Sequence, residues 1–204
     1  MIKIIAFDYG QVITFAQDPK AVERIAQLAG VEKNKFEAVL WKIRSEYDRG
    51  TMTVKEYYRE VLSGFNVSLD ENIIDKMIYI DHESWKNLNP QTMSLMEDVK
   101  NAGYLLGILS NMPHDFLAWA RQNVPVLSIS QINLFSCDVN FIKPEKEIYQ
   151  KFLSLAGVQG PEVVFFDDKP ENVKGARSLG IKAFIWENSG QARRQLLSLG
   201  VKFQ

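Results

Sequence analysis

Six polar residues of this 204-residue chain stand directly after apolar runs or just before a predicted helix. They are Asp8, Ser110, Asn111, Lys143, Asp167 and Asp168. The apolar runs cover residues 3–7, 104–109 and 163–166 and are rich in Ile, Leu, Val and Phe, a composition typical of buried strands. If those strands are parallel, their carboxyl ends meet at one edge of a sheet. The sequence therefore predicts that the six polar residues share one crevice.

Three of these residues, Asp8, Asp167 and Asp168, are carboxylates whose mutual repulsion in a crevice raises the pKa of at least one. A divalent cation relieves that repulsion, and carboxylates, a backbone carbonyl and waters are ligands that suit Mg²⁺. Lys143 and the Ser110 hydroxyl are then free to bind a phosphoryl group. A carboxylate beside a metal and a phosphate can act as a nucleophile and form an aspartyl phosphate.

Each feature alone has a simpler structural explanation. A strand-end aspartate can cap a turn, Ser110-Asn111 can cap a helix, and the pair Asp167-Asp168 can cap the helix that contains Pro170. Short motifs also occur often by chance. It is the combination, with every polar feature at a strand end or helix start of one predicted sheet, that favours a shared site.

The elements that must position these residues change in character along the chain. Residues 16–85 carry helical signals only: Asp18-Pro19 and Gly30 bound one helix, apolar residues at helical spacing mark another over 36–47, and Thr53 to Glu56 form a capping box. Strands and helices then alternate, which predicts a Rossmann-like α/β core with a parallel sheet. We expect residues 1–15 and 86–204 to form this core and residues 16–85 an inserted four-helix-bundle cap above the strand ends.

The segments that carry these residues resemble the haloacid dehalogenase (HAD) superfamily, in the subclass with a helical cap between the first and second motifs. Essentially the whole chain takes part. The four motifs read FDYGQVI, LGILSNM, FIKPEKEIY and VVFFDDKPENVKGARSLG. The resemblance implies an HAD-like fold and a Mg²⁺-dependent phosphatase that acts on a small phosphorylated metabolite.

The resemblance also implies a role for each motif residue. Asp8 is the nucleophile, Ser110 and Asn111 bind the phosphate, and Lys143 neutralises charge. The implied Mg²⁺ ligands are Asp8, the Gly10 carbonyl, Asp167 and Asp168. Asn172 stands where a further acid is common, and Asn140 replaces the usual glycine before Lys143, which is a mild change because Asn tolerates a left-handed backbone.

Gly10 departs from most phosphatases of the superfamily, which carry an aspartate two residues after the nucleophile as general acid and base. Such help is worth about 10²–10⁴-fold in rate. Three readings follow. One is a phosphatase whose substrate leaves easily, as in a branch resembling α-D-glucose-1-phosphatases, with cap residues such as Tyr47, Asp48 or Arg49 reaching in. The second is a catalytically weakened protein that binds a phospho-ligand. The third, a 2-haloacid dehalogenase, is disfavoured by the pair Asp167-Asp168.

Composition narrows the partners and the cellular setting. The formal net charge of −1 gives no argument for nucleic acid or anionic lipid, and no apolar run is long enough to span a membrane. The single cysteine, Cys137, excludes an internal disulfide, so we expect a cytoplasmic protein. The pattern favours neither a monomer nor a homodimer. We expect packing or surface roles for His82, His114 and the tryptophans.

Overall fold

A five-stranded parallel sheet forms the centre of the protein in a computed structural model that describes residues 1–203. Its strands are β1 Ile4–Phe7, β2 Leu105–Ser110, β3 Ile132–Phe135, β4 Val163–Asp167 and β5 Lys182–Ile185. The spatial order is β3-β2-β1-β4-β5. This confirms the predicted α/β class with a parallel sheet.

Twelve helices accompany the sheet within the described residues. They are α1 Pro19–Ala29, α2 Lys33–Lys42, α3 Arg44–Arg49, α4 Val54–Ser63, α5 Glu71–Ser84, α6 Pro90–Asn101, α7 His114–Asn123, α8 Val126–Ile129, α9 Ser136–Val139, α10 Lys146–Ala156, α11 Pro170–Arg177 and α12 Ser189–Ser198. Among residues 1–203, none of these helices has the combination of length and apolar character that a bilayer crossing requires.

Both faces of the sheet are buried, because successive strand residues point to opposite sides. Phe7 and Phe166 lie on one face, where their rings stack with centroids 5.6 Å apart. Ala6 and Phe165, one residue earlier on each strand, lie in the cluster on the other face. The near-continuous apolar strands predicted from the sequence therefore serve two cores at once.

The helix boundaries follow the capping residues that the sequence indicates. The Asp18 side chain accepts a hydrogen bond from the Lys20 amide at the start of α1, and Gly30 ends α1 with a φ of 67°. Thr53 and Glu56 form the predicted capping box of α4.

One predicted helix is divided in the structure. The apolar stripe over 36–47 gives two helices, α2 and α3, with a break at Ile43, so residues 16–85 hold five helices where the sequence predicts four. The turn at Ile43 lets Tyr47 stack on Tyr57 with ring centroids 4.3 Å apart. Tertiary packing here outweighs the local periodicity.

The helices α1 to α5 enclose an apolar cluster of their own, drawn from residues 22–80. The chain enters and leaves this segment through two adjacent stretches that are hydrogen-bonded to each other. Phe15 donates its amide to the Asn87 carbonyl at 3.0 Å, and Asn89 donates to Ile13 at 2.8 Å. The predicted division of the chain at residues 15 and 86 stays a prediction; both positions lie at the helical end of this paired crossing.

Candidate active site

The buried ammonium group of Lys143 lies between two carboxylates at the carboxyl edge of the sheet. Its Nζ is 2.8 Å from Asp8 Oδ1 and 2.6 Å from Asp167 Oδ2, and it also donates to the Leu109 carbonyl at 3.0 Å. Lys143 is 3% exposed and Asp167 is fully buried. The parallel pairing of Phe7 with Phe166 places the next residues on β1 and β4 side by side. The register of the sheet thus brings the two acids to one lysine.

Asp167 uses both carboxylate oxygens for hydrogen bonds within the protein. Its Oδ1 accepts from the Asn172 side chain and from the Lys169 amide, each at 2.9 Å, and its Oδ2 accepts from Lys143. Asn172 therefore does not extend the acid cluster, as the acid common at that position would. Its amide orients Asp167 towards Lys143.

Burial dominates the ionisation of Asp8, which is 8% exposed. Loss of water raises the pKa of the Asp8 carboxyl, Lys143 opposes that rise, and Asp167 adds to it. For Lys143 burial acts against the charged form, but Asp167 and Asp8 outweigh it and raise the pKa of the lysine. The ammonium group is charged at neutral pH and holds the two acids together.

The loops that carry Lys143 and Asn111 are tied to each other. Asn111 donates its side-chain amide to the Lys143 carbonyl at 3.0 Å and accepts from the Lys143 amide at 2.7 Å. On the far side, a Cβ at Gly175 would lie 2.8 Å from the Pro144 carbonyl oxygen, so only glycine allows α11 to approach this closely. Ser110 is buried beside the site at the end of β2. Asn140 has the left-handed φ of 57° that its glycine-like position predicts.

Asp168 points an acid into the open part of the same site. Its Oδ2 accepts from the Gln11 side chain at 2.9 Å. Burial, together with the charges of Asp8 and Asp167, raises its pKa to about 6. One oxygen from each of these three acids lies within 4.8 Å of the others. Hard oxygen donors this close, with one acid destabilised as an anion, fit a small divalent cation such as Mg²⁺.

The ring of Trp85, which directly follows α5, lies beside Gly10. A Cβ on Gly10 would lie 3.4 Å from Trp85 Cζ3, so the indole fills the space beside the residue where an acid is expected in most relatives. The neighbouring Tyr9 donates its hydroxyl to the Trp85 carbonyl at 3.0 Å and packs edge-on against Phe116. Tyr9 thus joins the first motif to the helical segment.

The helical segment supplies one wall of a cleft above Asp8. Arg44 and Asp48 line this wall and form an ion pair of 2.7 Å, with side chains 13% and 14% exposed. The sequence also allowed Asp48 to lie on an exposed helix end, but in the structure its side chain lines the cleft. Tyr47 instead donates to Asp115, and Arg49 makes two hydrogen bonds, of 2.7 and 2.8 Å, to Glu145.

The cleft contains residues that the sequence did not predict, and some of the residues considered from the sequence lie outside it. Arg44 lines the cleft outside the four motifs, as do Trp41 and Trp85, for which we expected packing roles. Gln11 and Lys169 also line it; they stand inside the first and fourth motifs, but their residue types gave no reason to assign them to the site. His114 is exposed and lies outside the cleft, beside Cys137 and Asp138. His82, by contrast, is buried and bonded to Asp115 at 2.7 Å, as a packing role implies.

A family model described as haloacid dehalogenase-like hydrolase matches residues 2–180, most of the chain. The chain belongs to the haloacid dehalogenase-like hydrolase family. This confirms the family resemblance of the four motifs and shows that the protein is an enzyme of the hydrolase class. The relation to the glucose-1-phosphatase branch stays a prediction.

Named relatives of this hydrolase include two bacterial phosphatases. A phosphatase of Mycobacterium tuberculosis is 25% identical, over 98% of this chain and 95% of its own length. The D-ribitol-5-phosphate phosphatase of Bacteroides thetaiotaomicron is 24% identical, over 96% and 97%. An HAD-family enzyme of the same bacterium, solved with magnesium and inorganic phosphate, superposes with a TM-score of 0.71 at 20% identity, over 92% of this chain and 96% of that one. The last comparison shows a shared fold.

We predict that Lys143→Met destabilises this hydrolase strongly. The substitution leaves Asp8 and Asp167 buried without their counter-charge, and losing one partner of a buried ion pair costs about 3–5 kcal/mol. Urea unfolding at pH 7 in the presence of a chelator measures the change in the free energy of unfolding. The matched control is Lys169→Met, an exposed lysine of the same cleft, with an expected change of about 0.5 kcal/mol or less. Equal losses in both variants would contradict the central role of Lys143.

We also predict that Asp168→Asn raises the melting temperature of the metal-free hydrolase at pH 8. The raised pKa of about 6, against 3.8 in the unfolded chain, means that ionisation of Asp168 destabilises the fold as pH rises through this interval. The gain should be full above pH 7 and shrink towards pH 4, where the wild-type carboxyl is protonated. Calorimetry in chelator across this range tests it, with the exposed Asp138→Asn as control. A gain of the same size at pH 4 and pH 8 would refute the explanation.

Proposed function

We propose that this hydrolase is a Mg²⁺-dependent phosphatase that removes phosphate from a small phosphorylated metabolite, with a sugar or polyol phosphate as the substrate class. The observation that carries the proposal is the Asp8–Lys143–Asp167 group with Asp168 beside it, a charge arrangement that suits a phosphoryl group and a cation together. The two phosphatase relatives, one named for D-ribitol 5-phosphate, support the substrate class.

In this proposal Asp8 attacks the phosphorus atom. A bond forms between an Asp8 carboxylate oxygen and phosphorus, the bond from phosphorus to the substrate oxygen breaks, and the leaving oxygen takes a proton from a water molecule because position 10 carries no acid. Lys143 holds Asp8 through the 2.8 Å contact with Oδ1 and keeps positive charge beside the transferring group. Water then attacks the aspartyl phosphate, which releases inorganic phosphate and restores Asp8.

Two further groups complete the proposed phosphate site. Ser110 ends β2 and Asn111 follows it at the same sheet edge, so that the Ser110 hydroxyl can donate to a phosphate oxygen. Asp8, Asp168 and the Gly10 carbonyl, with the charge of Asp167 behind them, would hold Mg²⁺. When bound, the cation supplies charge neutralisation and Lewis-acid polarisation of the phosphate.

In this proposal the helices of residues 16–85 form a cap domain over the α/β core, as the predicted two-domain organisation has it. They cover the site with Arg44, Asp48 and Trp85, which excludes water and selects the substrate. A cytoplasmic location also stays a prediction, based on the single buried Cys137. The haloacid dehalogenase alternative needs no metal, and the acids Asp168 and Asp167 beside Asp8 disfavour it.

The test of the proposal is phosphate release from a panel that includes glucose 1-phosphate, ribitol 5-phosphate and p-nitrophenyl phosphate. We expect turnover with Mg²⁺, loss of turnover with chelator, and a decrease of about 10³-fold or more for Asp8→Asn. Asp138→Asn, an exposed acid outside the cleft, should keep full activity. Binding of phosphate compounds without any release would favour the phospho-ligand-binding alternative.

A second test addresses the missing acid at position 10. Without it, kcat/KM of the wild type should rise steeply as the leaving alcohol of the substrate becomes more acidic. We expect Gly10→Asp to exceed Gly10→Asn by about 10-fold or more on alkyl phosphates, because only the aspartate can protonate the leaving oxygen. The two side chains make the same 3.4 Å approach of Cβ to Trp85, so crowding cancels in the comparison. Equal rates for both variants on alkyl phosphates would show that an acid at position 10 has no role here.

A further inference from the structure

Three side chains that commonly bind transition metals meet outside the cleft, where α7 and α9 approach each other. They are His114, the first residue of α7, and Cys137 and Asp138, both in α9. One ligand atom from each of them, a ring nitrogen, the sulfur and a carboxylate oxygen, lies within 4.8 Å of the other two. The ligand atoms of a tetrahedral zinc site are about 3.5 Å apart, so small side-chain rotations would complete such a site here.

The backbone already holds the two segments that carry these ligands. The Met112 amide, just before α7, donates to the Ser136 hydroxyl at 2.8 Å at the start of α9. On the other side, a Cβ on Gly50 would lie 2.9 Å from His114 Nε2 and 2.9 Å from Cys137 Cβ, so the chain at Gly50 passes close to both side chains. The three ligands are therefore brought together by contacts that do not need a cation.

The Cys137 thiol is a buried polar group without a partner. The residue is 2% exposed, and among residues 1–203 its sulfur forms neither a disulfide nor a hydrogen bond with another residue. Burial raises the pKa of the thiol to about 12, so it stays neutral at pH 7 unless a cation replaces its proton. Because the other two ligands, within 4.8 Å of the sulfur, are exposed residues, a cation can reach the sulfur from solvent when they turn.

The two exposed ligands are not committed to strong contacts. Asp138 Oδ2 lies 3.9 Å from Arg121 Nη2, beyond hydrogen-bond distance, and the two side chains are 39% and 60% exposed. Such an exposed ion pair contributes little to stability. The ring of His114 forms no hydrogen bond among residues 1–203 and is exposed. Both side chains can therefore turn towards the sulfur at little cost.

The types of ligand atom decide which cation this cluster fits. The acids Asp8, Asp167 and Asp168 offer only oxygen, which suits Mg²⁺. Nitrogen, sulfur and oxygen together suit Zn²⁺, which takes all three in proteins, and a thiolate is a poor ligand for Mg²⁺. A thiolate and a carboxylate also carry two negative charges, which balance the charge of the cation. Three protein ligands leave the fourth tetrahedral position for a water molecule.

We propose that His114, Cys137 and Asp138 form a Zn²⁺ site that is separate from the Mg²⁺ site proposed above. Zn²⁺ takes the place of the thiol proton, which passes to solvent, and binds the thiolate, a neutral ring nitrogen of the histidine and an oxygen of the aspartate. The site lies outside the cleft and takes no part in phosphate release. The inference goes beyond the proposed phosphatase function and does not depend on it.

A cation here would strengthen the part of the core that binds the helical segment. Asp115, directly after His114, accepts from the Tyr47 hydroxyl. At the start of α9, the Ser136 hydroxyl donates to the Asp48 carbonyl. Since Zn²⁺ would tie α7 to α9, it would hold these two attachment points at a fixed separation.

Co²⁺ is the first probe of this site, because a thiolate bound to Co²⁺ gives an intense charge-transfer band in the near ultraviolet. Cys137 is the only cysteine of the chain, so a thiolate band can have no other origin. With the reduced, untagged protein we expect this band to saturate as Co²⁺ is added, to disappear when Zn²⁺ is added and to be unaffected by Mg²⁺. Cys137→Ser should lack the band. Asp168→Asn, which alters the other metal-binding cluster, should keep it.

The two exposed ligands provide variants that do not disturb the core. We expect His114→Gln and Asp138→Asn each to weaken binding of Co²⁺ and Zn²⁺ by about 10-fold or more, since even residues that only support metal ligands have effects of this size. Zn²⁺ should also raise the melting temperature of the wild type more than that of His114→Gln at the same concentration. Neither measurement uses phosphate release, so a failure of the phosphatase proposal would leave this test intact.

Either of two outcomes would overturn the inference. One is the absence of a charge-transfer band when Co²⁺ is in large excess over the protein, because the thiol then does not bind the cation. The other is a band that forms with unchanged affinity in both His114→Gln and Asp138→Asn, because the cysteine then binds the cation without the proposed partners.

Discussion

The ion cluster around Lys143 is the constraint on which the other features of this hydrolase depend. One ammonium group, almost completely buried, lies within 2.8 Å of an oxygen of Asp8 and an oxygen of Asp167. Without it, two neighbouring carboxyl groups would be buried with no counter-charge. The close approach of α11 at Gly175, the Asn111 contacts and the Asn172 amide all serve to place these three side chains. The sheet edge positions the two acids, and the lysine provides the positive charge that compensates for their burial.

The core of the site could be predicted from sequence because its residues stand at the carboxyl ends of strands in one parallel sheet. The strand ends bring Asp8, Ser110 and Asp167 together regardless of how the helices pack. A capping residue such as Thr53 marks the start of its helix through contacts within one turn. The left-handed Asn140 is another local property that its type indicates. Such features need no knowledge of distant contacts.

The opposite wall could not be predicted in the same way. Arg44 faces the cleft because the chain turns at Ile43, and the same turn allows Tyr47 to stack on Tyr57. No periodicity in the sequence reports this contact. Likewise, the packing of Trp85 against Gly10 joins residues 75 positions apart, and only the tertiary fold reveals that the glycine and the indole share one space. The residues proposed to choose the substrate are thus the ones that local patterns describe least well.

The paired chain crossing at residues 13–15 and 87–89 has a mechanical consequence. Both connections to the helical segment are hydrogen-bonded to each other, so a twist of either one strains the bonds that pair them. Arg49 to Glu145 and Tyr47 to Asp115 are further contacts between this segment and the rest of the protein. We therefore expect any displacement of the five helices from the sheet edge to break these contacts while the paired crossing holds.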